Sequence, residues 1–270
     1  MKTRRELKRQ AKEAIGVQRG TAILLLLVFV LKVMALCVIC GILLRWLGKL
    51  GWLPAGLVYW AALLALLVLA VGVTGEYTKI YRGASTRVMA LYTDFKTRFG
   101  RKLGGMLWML LWLFLWALIS LPIVFLAIFL MRRTGRGMRL LILVLMGPVH
   151  LAALIPSIIK GLSYFMTPYI LADCPDVTAR GALRLSKEMM RGRKRELFVM
   201  MLSFIGWMFL SVLTLGVLYI VYVGPYMYTT YAGFYAEARG ETPVEEEAVV
   251  IEVEAEPEAE IVLEAEIEAE

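Results

Sequence analysis

Any chemistry in this chain must be assembled from very few side chains. The sole histidine, His150, stands inside the apolar run MGPVHLAAL. A Ser-His-Asp triad or a multi-histidine zinc site would therefore rest on one ring in an apolar setting, and His150 reads as a packed or helix-bonded residue. Lys32 is the only basic residue well inside its apolar run. A lysine at that depth turns toward protein or water, or its stem snorkels to the surface; both readings are open. Tyr219, Tyr222 and Tyr226, with Thr229 and Thr230, fall within about a third of a helical circumference and make a hydroxyl-bearing face. Such a face usually serves packing and hydrogen bonding between helices; a groove for an amphiphile is the sharper alternative. Together, Lys32, His150, Tyr219, Tyr222 and Tyr226 form the candidate polar site within the membrane.

The remaining chemistry is marked by what is missing. The eight acids before residue 237 are read as lying at or beyond the ends of the apolar runs, which counts against a proton relay. Neither a GxxxxGK[ST] nor a GxGxxG phosphate loop occurs. Three cysteines cannot build a disulfide framework, and Cys37-Val38-Ile39-Cys40 reads as membrane packing. No catalytic, cofactor-binding or metal-binding residues are expected, and the chain is read as non-enzymatic.

The elements that would hold these residues are apolar helices. Hydrophobic residues make up 60% of the 270 positions, above the level of a soluble domain. The expected class is all-α: a polytopic transmembrane bundle of about six spans within residues 21–238, with interfacial amphipathic helices. The spans run Thr21 to Leu44, Leu57 to Thr74, Leu103 to Met131 with a kink at Pro122, and Leu140 towards Ala172. Phe198 to Leu213 and Val217 to Gly233 complete the set, with the turn at Thr214-Leu215-Gly216. The fourth run is expected to break at Pro148, Pro156, Lys160 and Pro168.

Charge separates the parts further. Residues 1–20 carry seven basic residues with Leu7, Ala11, Ala14 and Ile15 in a stripe, as in a helix lying on a membrane surface. In the segment 176–195, with Asp176 as N-cap, Arg180, Arg184, Lys187 and Arg191 share one face. That face either rests on the membrane or contacts anionic phospholipid headgroups or a membrane-protein partner. Basic residues number 23 on one side of the expected bilayer and 6 on the other, so both termini are read as cytoplasmic. Basic residues that flank apolar spans also argue against nucleic acid as a partner. The tail 240–270 repeats Glu among Val, Ile and Ala, and like charge at that density predicts disorder.

One stretch carries a resemblance. Tyr164, Pro168-Tyr169, Asp173 and Pro175 precede Ser186 to Met190 and Lys194. Gly206-Trp207, Gly216 and Pro225-Tyr226 follow. This order, over roughly residues 155–238, resembles an uncharacterised family of bacterial integral membrane proteins, domain of unknown function 975, with weaker echoes at Glu6-Leu7-Lys8 and Asp94-Phe95-Lys96. Arg193 departs from it, and the run from Leu121 to Met146 is longer than the family's usual spacing. The resemblance implies a helical membrane fold in the bacterial plasma membrane and no particular activity. The expected role is envelope homeostasis or interaction with lipid or peptide; the alternative is a permease-like subunit that handles an amphiphile between the fourth and sixth spans.

Overall fold

The computed structural model describes residues 3–47, 52–86 and 99–240, and helix is the only regular structure among them. The expected disordered tail and the Asp94-Phe95-Lys96 echo lie outside the described residues. Five stretches are long and apolar enough to cross a membrane: Arg19–Trp46, Gly56–Tyr81, Phe99–Arg133, Gly137–Asp173 and Lys194–Leu213.

In chain order the helices are α1 (Arg4–Val17), α2 (Arg19–Leu47), α3 (Trp52–Tyr81), α4 (Phe99–Ala117), α5 (Leu121–Arg133) and α6 (Arg136–Tyr164). Then come α7 (Thr167–Asp173), α8 (Ala179–Met189), α9 (Lys194–Leu202), α10 (Ile205–Leu213) and α11 (Gly224–Arg239). A 3-10 turn at Leu118–Ser120 separates α4 from α5, with Pro122 in the first turn of α5, so the kink falls where the sequence places it. The fourth run differs from expectation. Helix α6 passes unbroken through Pro148, Pro156 and Lys160, and the chain breaks only at Phe165-Met166, ahead of Pro168 at the start of α7. The turn at Thr214-Leu215-Gly216 is present, with Leu215 (φ 52) and Gly216 (φ 83) both left-handed. Glycine adopts that conformation without the Cβ clash, and Leu215, 95% exposed, is held there by the turn.

Tyr219–Val223 after the turn is a π-helical turn that runs into α11. Pro225 has no N–H to give back to the preceding turn, which accounts for the change of hydrogen-bond register there. One inserted residue per π turn also rotates every later side chain, so the single tyrosine face expected from uniform 3.6-residue spacing divides. Tyr219 packs toward α2 with Tyr228, whereas Tyr222 and Tyr226 meet Trp207 and Phe204.

Helix α11 is the most enclosed element, with residues from Thr229 to Ala236 buried. Around it gather Leu7 and Ala11 of α1, Val71 of α3, Tyr169 to Leu171 of α7, Ala182 of α8, and Leu197 and Met200 of α9. The basic N-terminal helix therefore docks on the protein core instead of lying free on a membrane surface. Its stripe of small and apolar residues fits against α11, its Thr3–Glu6 capping box closes its first turn, and Lys8 Nζ donates to Ser203 Oγ at 2.6 Å. Burial, with Arg4 and Lys12 nearby, lowers the proton affinity of Lys8 below the ordinary lysine value.

Elsewhere the helices are sparsely packed. Phe125, Leu140, Leu143, Val144 and Leu151 of the α5–α6 hairpin are all exposed, as suits helices bathed in lipid. Two glycines permit the close approaches at α11. A Cβ at Gly233 would lie 2.6 Å from Tyr81 Cε2, and one at Gly224 would lie 2.3 Å from Leu26 Cδ2 and 2.8 Å from the Tyr219 carbonyl. Gly224→Ala should therefore lower stability by about 1 to 3 kcal/mol, because a backbone carbonyl cannot yield as a side chain can. Gly41→Ala, which meets open space, should not. Thermal unfolding of both variants in one detergent checks the contrast.

Candidate functional site at the basic end

The elements that carry most of the basic residues meet at one end of the bundle. Gln18 of the α1–α2 junction donates to the Ala84 carbonyl beyond α3, and the start of α4 contacts the corner between α7 and α8. The centre of this end is the Asp173 carboxylate. Arg82, beyond α3, grips it with both guanidinium nitrogens at 2.6 and 2.9 Å, and the Tyr235 hydroxyl of α11 donates to it at 3.0 Å. Arg239, at the end of α11, also pairs with it. Charge-assisted bonds of this type are the strong class, and here they tie α3, α7 and α11 through one side chain.

Arg101 of α4 holds the same corner from the other side. Its guanidinium donates to the carbonyls of Leu171 (2.6 Å), Cys174 (2.9 Å) and Val177 (2.9 Å). The first belongs to the last turn of α7 and the other two to the corner that follows it, where regular helical bonding has ended. The order Asp173, Pro175 supplies the corner: α7 ends, exposed Pro175 turns the chain, and α8 begins. The helix N-cap is Thr178, whose Oγ1 accepts from the Gly181 N–H at 3.0 Å, and not Asp176 as the sequence suggested. Asp176 is two residues too early because the chain is still turning at Val177. The arginines at positions 82, 101 and 239 enter the sequence reading only as counts of charge. Their common signal is position, since each stands at the end of an apolar run on the 23-charge side.

Helix α8 changes the meaning of its basic face. It ends at Met189, so Arg191 falls in the turn before Gly192 and leaves the face of Arg180, Arg184 and Lys187, all exposed. The inner face consists of Ala182, Leu183 and Ser186 and packs against the bundle. Two of the cations lie over a tryptophan stripe on α4: Arg180 over Trp108 at 4.9 Å and Lys187 over Trp112 at 5.5 Å. Lys160 of α6 completes the series over Trp116 at 4.5 Å. Each pairing places a cation on the negative face of an aromatic ring.

Helix lengths give the level of this ladder. A ~30 Å hydrocarbon core takes about twenty residues of helix. Twenty residues back from Arg132 is Trp112, and twenty residues on from Arg139 is Ile159, next to Lys160. On that count a core of this thickness would end at the same tryptophans and cations on two separate helices. By the same count from Arg45, Lys32 lies about 10 Å inside the boundary at the basic end, close enough for a lysine stem to reach out, and it is half-buried. His150 is half-buried on α6, its Nδ1 without a hydrogen-bond partner, and far in sequence from the tyrosines of the last helix. Gly206 and Trp207 are exposed on α10, with Trp207 against Tyr222.

Glu76 corrects the reading of the acids. It lies within α3 at 1% exposure, with Oε1 on Lys79 at 2.7 Å and Oε2 without a hydrogen-bond partner. By hydropathy the second span ends at Thr74, two residues before it, whereas the helix continues to Tyr81 and buries Glu76 and Tyr77. Among the described residues no group of three His, Cys, Asp or Glu side chains could hold a metal.

Removing the central charge should loosen this end of the molecule. Asp173→Asn keeps the shape and leaves partly buried Arg82 without its carboxylate, a loss on the order of 3 kcal/mol. Arg239→Gln removes an arginine that is 43% exposed and should cost below about 1 kcal/mol. Thermal unfolding in detergent measures both, and similar losses for the two would contradict the central role of Asp173.

Comparison with curated proteins and with solved structures returns no match. A family model does match, over residues 1–242, extending the resemblance at 155–238 to include α1 and the Arg82 and Arg101 segments. The chain belongs to the family described as Protein of unknown function (DUF975).

Proposed function

We propose that the chain is a multi-pass protein of the bacterial plasma membrane, with both termini cytoplasmic, that carries out no catalysis. It acts in envelope homeostasis by engaging anionic phospholipid headgroups at the inner leaflet. The observation that carries this reading is the ladder of Arg180, Lys187 and Lys160 over Trp108, Trp112 and Trp116, about twenty helical residues from the basic turn between α5 and α6. Tryptophan and cations together are the side chains that favour the headgroup layer. A cation over a ring keeps its outer side open to a phosphate, so the stacking and a headgroup contact are compatible.

The runner-up, a permease-like subunit that handles an amphiphile, has its own support. Ile158, Gly161, Leu162, Phe198, Met201 and Ile205 line an apolar groove of about 370 Å³. That groove lies between the fourth and fifth passages and not between the fourth and sixth as the sequence suggested, and its lining suits an acyl chain more than a polar cargo.

Two experiments test the leading reading. With the full-length protein in lipid nanodiscs, brominated phosphatidylglycerol should quench tryptophan fluorescence more than brominated phosphatidylcholine does. Replacing Arg180, Arg184, Lys187 and Arg191 with Gln should remove the difference, since each basic residue near an anionic surface contributes about 1 kcal/mol. An unchanged preference would sink the headgroup reading. For orientation, a cysteine at Gly135 in a background without native cysteines should label from outside the cell, and one at Ala179 should not. Outside labelling at Ala179 would reverse the topology.

A further inference from the structure

Helix α1 docks across the last helix and leaves a cleft of about 200 Å³ beside the π turn. Its rim carries Lys12 and Arg19, and its wall is Ile15 and Val221 with Tyr222 and Tyr226. Among the described residues no carboxylate lines it, and its two cations give it a positive field. Lys12 Nζ lies 5.5 Å from the centre of the Tyr226 ring, which holds the charge over the cleft, and Arg19 is exposed. Gly16 is among its lining residues, and a Cβ there would meet nothing within 4 Å among the described residues.

The depth of the cleft agrees with its lining. Twenty residues back from Arg45 is Leu25, so Arg19 lies about 9 Å outside the hydrocarbon boundary, the level of lipid phosphates. Val221, 43% exposed, faces outward on the apolar side. The cleft thus offers positive charge and hydroxyl groups at one edge and apolar surface at the other. A π turn in its wall is the type of helix distortion that recurs at binding sites.

We propose that this cleft binds one anionic phospholipid, with the phosphate between Lys12 and Arg19 and an acyl chain leaving along Ile15 and Val221. The Tyr222 hydroxyl is placed to donate to the phosphate or its glycerol ester. This assignment rests on the reading that the basic end faces an anionic leaflet, and narrows it to a single saturable site apart from the α8 face. Because α1 forms half of the cleft, an occupied site would also hold α1 against α11.

The test is native mass spectrometry of the full-length protein released from detergent micelles, with phosphatidylglycerol titrated in. One lipid per chain should be retained at low lipid concentration. Lys12→Gln together with Arg19→Gln should weaken that retention about 30-fold, the effect of two interfacial charges. Arg19→Glu, an exposed reversal that leaves the Lys12–Tyr226 contact in place, should weaken it as well. The four-residue Gln variant of the α8 region should retain the lipid even where it loses its bulk preference for anionic lipid, which separates the two sites. Retention unchanged in both cleft variants would overturn the proposal. So would displacement of the lipid by millimolar inorganic phosphate, which would mark the cleft as a site for a free anion with no use for its apolar wall.

Discussion

One carboxylate joins the parts of this molecule that the chain itself keeps far apart. Asp173 is separated from Arg82 by 91 residues and from Arg239 by 66, yet both arginines and the Tyr235 hydroxyl converge on it. The corner between α7 and α8 is held from the other side by Arg101, which binds three carbonyls along it. A buried or half-buried charge is costly without partners, so Asp173 and partly buried Arg82 depend on each other, while exposed Arg239 depends less on the pair. With that node in place, α8 lies against α4 and brings its cations over the tryptophans.

Packing is unequal along the bundle for a physical reason. At the basic end water drives apolar surfaces together, and there α1, α7, α8 and α9 enclose α11. Between the interfaces lipid solvates apolar side chains as well as protein does, so close packing is needed only where small residues or hydroxyls hold helices together. The exposed faces of α5 and α6 are what that environment permits. Aromatic stacking extends the core inward from the basic end, through Tyr169 on Tyr235, and Phe204 against Tyr226 and Tyr231. Helix α11 continues this core into the bundle and, with the π turn before it, returns the chain from the Thr214-Leu215-Gly216 turn to the basic end.

Cations at this end divide by their neighbours. Arg82, Arg101 and Arg239 are bound to acceptors and build the fold. Those over aromatic rings and without such a bond, namely Lys12, Lys160, Arg180 and Lys187, keep a side toward the surroundings. The ladder on α4 and the cleft beside α1 both draw their cations from the second group, with different geometry.

Much of this was legible without coordinates. Apolar runs of twenty or more residues dictate helices of membrane length, and Pro122 and the Thr214-Leu215-Gly216 turn break the chain where the sequence says. These features are local: hydropathy, a missing N–H and a left-handed turn act over a few residues, so the chain declares them directly. The fate of each charge was not local. Asp176 and Thr178 are both acceptable N-caps by type, and only the geometry of the corner chose Thr178. The same basic count described Arg82, which builds the node, and Arg180, which lies over Trp108. A helical wheel placed Tyr219, Tyr222 and Tyr226 on one face, until a single π turn rotated them apart. Whether a charged or aromatic side chain ends in the core, on a ring or at the lipid depends on segments sixty to two hundred residues away, such as Ser203 against Lys8. That information lies in the pairing of surfaces, which the tertiary structure alone decides.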